Sequence, residues 1–90
     1  MNLEKIRNIL ESNGCWNGFD GESTMEAIEA LLGWIKDVTF GDKGSNGIFD
    51  TIYLDVVNHA STKIFELCFK GVGADSIKRL NTHTIEVWWD

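Results

Sequence analysis

The ninety-residue chain reads as a single α+β domain spanning residues 1–90. Two N-terminal helices are expected on one face of a mainly antiparallel four-stranded sheet, in the order α-α-β-β-β-(α)-β. Three observations predict this. Apolar residues recur at helical spacing through residues 3–35, the period shortens to two after Lys36-Asp37, and glycine-rich stretches punctuate both regions. Helices followed by a run of strands bury their apolar faces most simply as a two-layer sandwich.

Leu3, Ile6, Ile9 and Leu10 form the stripe of the first helix, with Asn2 placed to cap it and Ser12-Asn13-Gly14 to stop it. The stretch Gly14 to Gly21 holds three glycines among Cys15, Trp16 and Phe19 and reads as an ordered loop. The second helix carries Met25, Ile28, Leu31, Leu32 and Ile35, and Ser23 with Glu26 matches a capping box. Gly33 lies on this pattern at a cost of about 1 kcal/mol against alanine, which suggests close packing of a neighbour.

Val38 and Phe40 begin the strands, and Gly41 to Gly47 makes a polar hairpin loop. From Ile48 to Val57, Ile52, Leu54 and Val56 alternate with Thr51, Tyr53, Asp55 and Val57, so one set faces the core. Phe65, Leu67 and Phe69 suggest a third strand with the same alternation. Ala74 to Leu80 is predicted as a two-turn helix, and Thr84 to Trp89 as the last strand with Ile85, Val87 and Trp89 inward.

Composition bounds the function. With 43% hydrophobic residues and ten aromatics the chain is far from the signature of disorder. No apolar run approaches the ~18–20 residues of a membrane span, and the start Met-Asn-Leu-Glu-Lys lacks a signal-peptide layout, so a cytoplasmic location is expected. Cys15 and Cys68 are then expected as free thiols. A net charge of −6 disfavours nucleic acid and anionic membranes as direct partners and favours a basic protein surface.

No motif for catalysis or cofactor binding is present. His59 and His83 stand apart from Cys15, the best nucleophile candidate, and a buried apolar role for that cysteine is the simpler reading. Asp20-Gly21-Glu22 offers two carboxylates but not the alternating oxygen ligands of a calcium loop, and Asp42 stands alone. The glycines beside Lys43 match no phosphate-binding loop. Pairs such as Asp50 with Asp55, or Glu66 with Glu86, fit solvated sheet carboxylates better than acid–base pairs. No metal, cofactor or catalytic residue is therefore assigned.

Charge placement is more informative. Between Arg7 and Lys36 no basic residue occurs, while Glu11, Asp20, Glu22, Glu26 and Glu29 all fall in that interval. Glu22, Glu26 and Glu29 share one helical face. Two readings compete there: a solvated face favoured by the helix dipole, and a docking face for a basic partner. Trp16 and Phe19 in the adjoining loop supply aromatic weight of the kind enriched at binding hot spots. On the sheet, alternation puts Tyr53 and Trp88 on the face opposite the core, where with Val57 and Ile64 they would form an open apolar patch.

In size, charge and lack of motifs the chain resembles small acidic α+β proteins that neutralise bacterial toxins or phage-directed defences; the likeness covers no diagnostic residue. It implies a non-catalytic inhibitor, immunity or anti-defence protein of bacterial or phage type. Trp16, Phe19, Asp20, Glu22, Glu26, Glu29, Tyr53 and Trp88 are the expected partner-binding residues, with a toxin or nuclease as the basic partner. The alternative is a homo-oligomeric structural or small-ligand module, such as a homodimer, built through the open sheet face.

Overall fold

The computed structural model describes all ninety residues, as three successive helix–strand–strand units. The elements are α1 (Leu3–Ser12), β1 (Cys15–Trp16), β2 (Phe19–Asp20), α2 (Gly21–Ala30), β3 (Ile35–Phe40), β4 (Thr51–Val56), α3 (Thr62–Lys70), β5 (Ser76–Arg79) and β6 (Thr84–Trp88). β1 and β2 form a small hairpin, and the main sheet is antiparallel in the order β3-β4-β6-β5. The expected α+β class and four-stranded antiparallel sheet are present; the third helix lies at Thr62–Lys70 and not at Ala74 to Leu80, and a second, two-stranded sheet is added. No helix is long and apolar enough to cross a membrane.

The register explains the layers. Val38 faces Leu54, Phe40 faces Ile52, Leu54 faces Ile85 and Val87 lies between Ile52 and Ile77, so these side chains share one face. That face and the helices' Ile6, Leu10, Met25, Ile28, Phe65 and Phe69 form one buried cluster. All three helices thus cover one side of the sheet. The opposite side stays open, with Thr39, Tyr53, Glu86 and Lys78 in one cross-strand row and Thr51, Trp88 and Ser76 in the next.

Two segments exchange the identities expected of them. Residues 62–70 form a helix because Phe65 and Phe69, four apart and both fully buried, share a helical face, while Leu67 is 67% exposed. Residues 76–79 form a strand whose Ile77 alone points into the core. Arg79 secures this pairing. Its guanidinium donates to the Thr62 hydroxyl (2.8 Å), the Ala60 carbonyl and the Thr82 carbonyl (2.8 Å), tying the start of α3 to the β5–β6 turn.

The second helix also differs in its ends. Asp20, not Ser23, is the N-cap: its carboxylate accepts from the Ser23 amide at 3.1 Å and from the Ser23 hydroxyl at 2.6 Å. The helix stops at Ala30, and tighter turns carry Leu31 into the core before Ile35 opens β3. The close approach expected at Gly33 occurs at Gly21 instead. A β-carbon on Gly21 would overlap the Leu10 carbonyl, so this glycine is what lets α2 start against the end of α1, whereas Gly33 has open space around it.

Asn13, 5% exposed, does more than end α1. Its side-chain amide donates to the Phe49 carbonyl (2.9 Å) and accepts from the Phe49 amide (2.9 Å), replacing a strand partner for a buried segment outside any ladder. Phe49, 2% exposed, packs its ring against Phe19 and Phe40.

Gly21→Ala is expected to lower stability by about 1–3 kcal/mol, the usual cost of overpacking. Gly33→Ala is expected to be neutral or to stabilise by ~0.4–1 kcal/mol. Urea denaturation separates the two, and equal midpoints would contradict the packing described. By the same measurement Asn13→Ala, which strands two buried backbone groups, is expected to cost about 2–4 kcal/mol.

Candidate functional site

The hairpin β1–β2 is built on Asn17-Gly18. Asn17 takes a positive φ of 47°, a conformation asparagine tolerates, and Gly18 lies so close to Gly73 that neither accepts a β-carbon. This contact seats the hairpin tip against the turn that follows α3. The stretch expected as an ordered loop is therefore paired: Cys15 faces Asp20 and Trp16 faces Phe19.

Phe19 is 2% exposed and belongs to the core, stacking on Trp16 at 5.3 Å and meeting Trp89 edge-on at 5.0 Å. It offers no surface to a partner. Trp16 is half-buried at the rim of this aromatic group. Beyond it, the loop from Asp42 to Asp50 and the chain following β6 close a cleft of about 380 Å³. Trp16 and Trp88 form walls, and Asp42, Asp50 and Asp90 contribute three exposed carboxylate-bearing residues, with no basic residue in the lining.

Three hydrogen bonds hold the segments around the cleft together. The Trp89 amide donates to the Asp50 carbonyl (2.9 Å), the Asn17 side chain donates to the Asp90 backbone oxygen (3.0 Å), and the Asp90 amide donates to the Asp75 carboxylate (2.8 Å). The indole Nε1 atoms of Trp16 and Trp89 are buried without an acceptor. Such unpaired donors are uncommon in native interiors.

The structure thus unites Trp16 with Trp88 and separates the other expected residues from them. Asp20 serves as the α2 cap. Glu22, Glu26 and Glu29 are exposed on α2, but Glu29 is not unanswered: Arg7 of α1 reaches it at 3.0 Å and Glu11 at 3.9 Å. Tyr53 stands half-buried on the open sheet face between Thr39 and Glu86, outside the cleft. Ile64 lies on α3, so it does not join Tyr53 and Trp88 as the alternation implied. That open face is largely polar.

Asp42 lines the same cleft as Asp50 and Asp90 without forming a metal-holding group with them. No sequence signal joins positions so far apart, although Asn17-Gly18 between apolar residues was a hairpin signal that marks one wall. A larger depression of about 490 Å³ along α1 mixes Glu4 with Lys5 and Lys43, so it presents no single sign of charge.

Cys15 donates its thiol hydrogen to Asp20 at 2.9 Å. That bond to a carboxylate, with smaller effects of burial and of the negative charges of Asp20 and Glu22, pushes the thiol pKa up. A nucleophilic cysteine needs the opposite shift. Asp20 is correspondingly held below the usual carboxylate range by its bonds from Cys15 and Ser23. His59 packs edge-on to Trp34 at 5.5 Å, and no group of three or more His, Cys, Asp or Glu residues has metal-holding geometry.

Comparison of the chain with protein-family models, curated proteins and solved structures returns no match.

Thiol titration should find Cys15 less reactive than a free cysteine near about pH 8, and Asp20→Asn should accelerate the reaction. Asp20 stabilises the fold fully above its unfolded pKa, and this contribution fades as pH falls through the lower folded value. The stability gap between wild type and Asp20→Asn should therefore close below about pH 4. A gap that widened in acid would show that the cap is not ionised in the fold.

Proposed function

We propose that this protein is a non-catalytic acidic binding protein that docks on a basic protein and blocks it, in the manner of an inhibitor or immunity protein. The observation that carries this reading is the cleft where Trp16 and Trp88 converge with Asp42, Asp50 and Asp90 in the absence of any basic lining residue. Indole faces supply contact area at low entropic cost, and carboxylates select a cationic counterpart.

The hairpin extends the acidic surface. Glu22 acts electrostatically on Cys15, next in sequence to Trp16, and Glu26 is exposed one turn further along α2. Long-range attraction from these charges favours fast association with a positive surface, and salt weakens it. A protein that processes nucleic acid carries such a surface, and clustered carboxylates there occupy the positions of phosphates.

Photo-crosslinkers placed at Asn46 beside the cleft and at Thr39 on the open sheet face locate the interface. Crosslinks from Asn46 to a basic protein, lost at high salt and weakened several-fold by combined Glu22→Lys and Glu26→Lys, are the expected result. Crosslinks from Thr39 to a second copy of the chain, with a dimer in light scattering, would replace this reading with the homo-oligomeric one.

A further inference from the structure

We infer that Asn46 is a site of covalent self-modification, at which the side-chain amide is converted to a carboxylate on the exposed tip of the 42–50 loop. This needs no partner and stands apart from the docking reading above.

The chemistry belongs to an asparagine followed by glycine. The glycine main-chain nitrogen attacks the asparagine Cγ, so that a nitrogen–carbon bond forms and the Cγ–Nδ2 bond breaks. The amide nitrogen departs as ammonia with the proton that the glycine nitrogen gives up. Water then opens the cyclic imide at either of its carbonyls and leaves an aspartyl or an isoaspartyl residue. Glycine favours the attack because no β-carbon hinders its nitrogen and its backbone turns freely.

The chain holds three such pairs, Asn13-Gly14, Asn17-Gly18 and Asn46-Gly47, and the fold treats them differently. Asn13 is 5% exposed, and its side-chain amide both donates to the Phe49 carbonyl and accepts from the Phe49 amide. Turning its Cγ toward Gly14 strands two buried backbone groups, which opposes the reaction. Asn17 is exposed, yet its leaving nitrogen donates to the Asp90 backbone oxygen at 3.0 Å. Gly18 also packs so tightly on Gly73 that the rotation needed for ring closure is resisted.

At Asn46 the surroundings help. Residues 42–47 are all exposed, and Gly47 has open space where a β-carbon would stand. The Asn46 side-chain oxygen accepts from the Ile48 amide at 3.2 Å, which folds the side chain back across Gly47. That same donor stabilises the negative charge gathering on the oxygen as the nitrogen attacks. The Gly47 amide donates to the Gly44 carbonyl at 2.9 Å, and this bond opens first, at a position where water can replace it.

The product changes the cleft. Asn46 lines it together with Asp42 and Asp50, so conversion adds a carboxylate to the lining. The isoaspartyl form also lengthens the main chain inside the turn that Gly44 closes by donating to the Ile48 carbonyl at 2.9 Å.

The test holds the purified protein at mildly alkaline pH, where the glycine nitrogen loses its proton more readily, with a parallel sample in urea. Ion-exchange chromatography follows acidic species, peptide mass mapping locates them, and enzymatic methyl transfer detects isoaspartate. In the folded protein the conversion of amide to acid is expected to accumulate at position 46, faster than at positions 13 and 17. In urea all three positions are expected to convert at comparable rates. Asn46→Ser is expected to remove the acidic species formed by the folded protein, and thermal melts check that this exposed variant folds.

Conversion in the folded protein that is no faster at position 46 than at 13 and 17 overturns the assignment. So does an acidic species that persists in Asn46→Ser. Conversion at position 46 in urea alone overturns it as well, since the loop's hydrogen bonds would then protect the pair instead of promoting attack.

Discussion

A single side-chain amide does what a strand would otherwise have to do. The long connection between β3 and β4 passes through the interior at Phe49, where no sheet partner is available, and Asn13 supplies both the donor and the acceptor that this residue's backbone needs. A buried backbone group without a partner costs about as much as a substantial part of a small domain's net stability. Because Phe49 is held there, its ring closes on Phe19, and Phe19 in turn stacks on Trp16 and meets Trp89. Asp50, one residue on, accepts from the Trp89 amide. The cleft is therefore assembled outward from the end of α1.

Elements governed by local pattern were legible in the sequence. The first helix, β4 and β6 follow their apolar periodicity, and Ile52, Leu54, Val56, Ile85, Val87 and Trp89 are all buried as alternation requires. Residues 62–70 show where a pattern is ambiguous. Phe65, Leu67 and Phe69 satisfy a period of two, yet Phe65 and Phe69 alone satisfy a helical face, and only packing decides between them. The helix wins because α3 lays both rings on the sheet beside β5 while Leu67 remains exposed. Residues 76–79 then take the edge of the sheet, where one inward side chain, Ile77, was too little pattern to announce a strand.

The site was less legible for a physical reason. Its aromatic walls are visible in the sequence, Trp16 in a glycine-rich stretch and Trp88 on a sheet face, but local pattern assigns them to two different surfaces. The turn at Asn17-Gly18, seated on Gly73, and the inward course of the 42–50 loop bring those surfaces together. Asp42, Asp50 and Asp90 converge only through these long-range contacts. Charge counting in the first third of the chain identified instead a helical face that Arg7 partly neutralises by crossing from α1 to Glu29.

The difference between those two groups of acids bears on how each can act. Glu29 already has a cation, so a partner's basic group must compete with Arg7, and an exposed pair of this kind contributes little either way. At the cleft no cation pairs with Asp42, Asp50 or Asp90, and the Asp50 carboxylate accepts from the Thr51 hydroxyl at 2.8 Å. Solvent screens these exposed charges. On the docking reading, a basic group that enters meets carboxylates with no competing cation beside them, and the aromatic residues of the lining exclude part of the water that weakens the attraction. The α2 face, where Arg7 already reaches Glu29, lacks that combination.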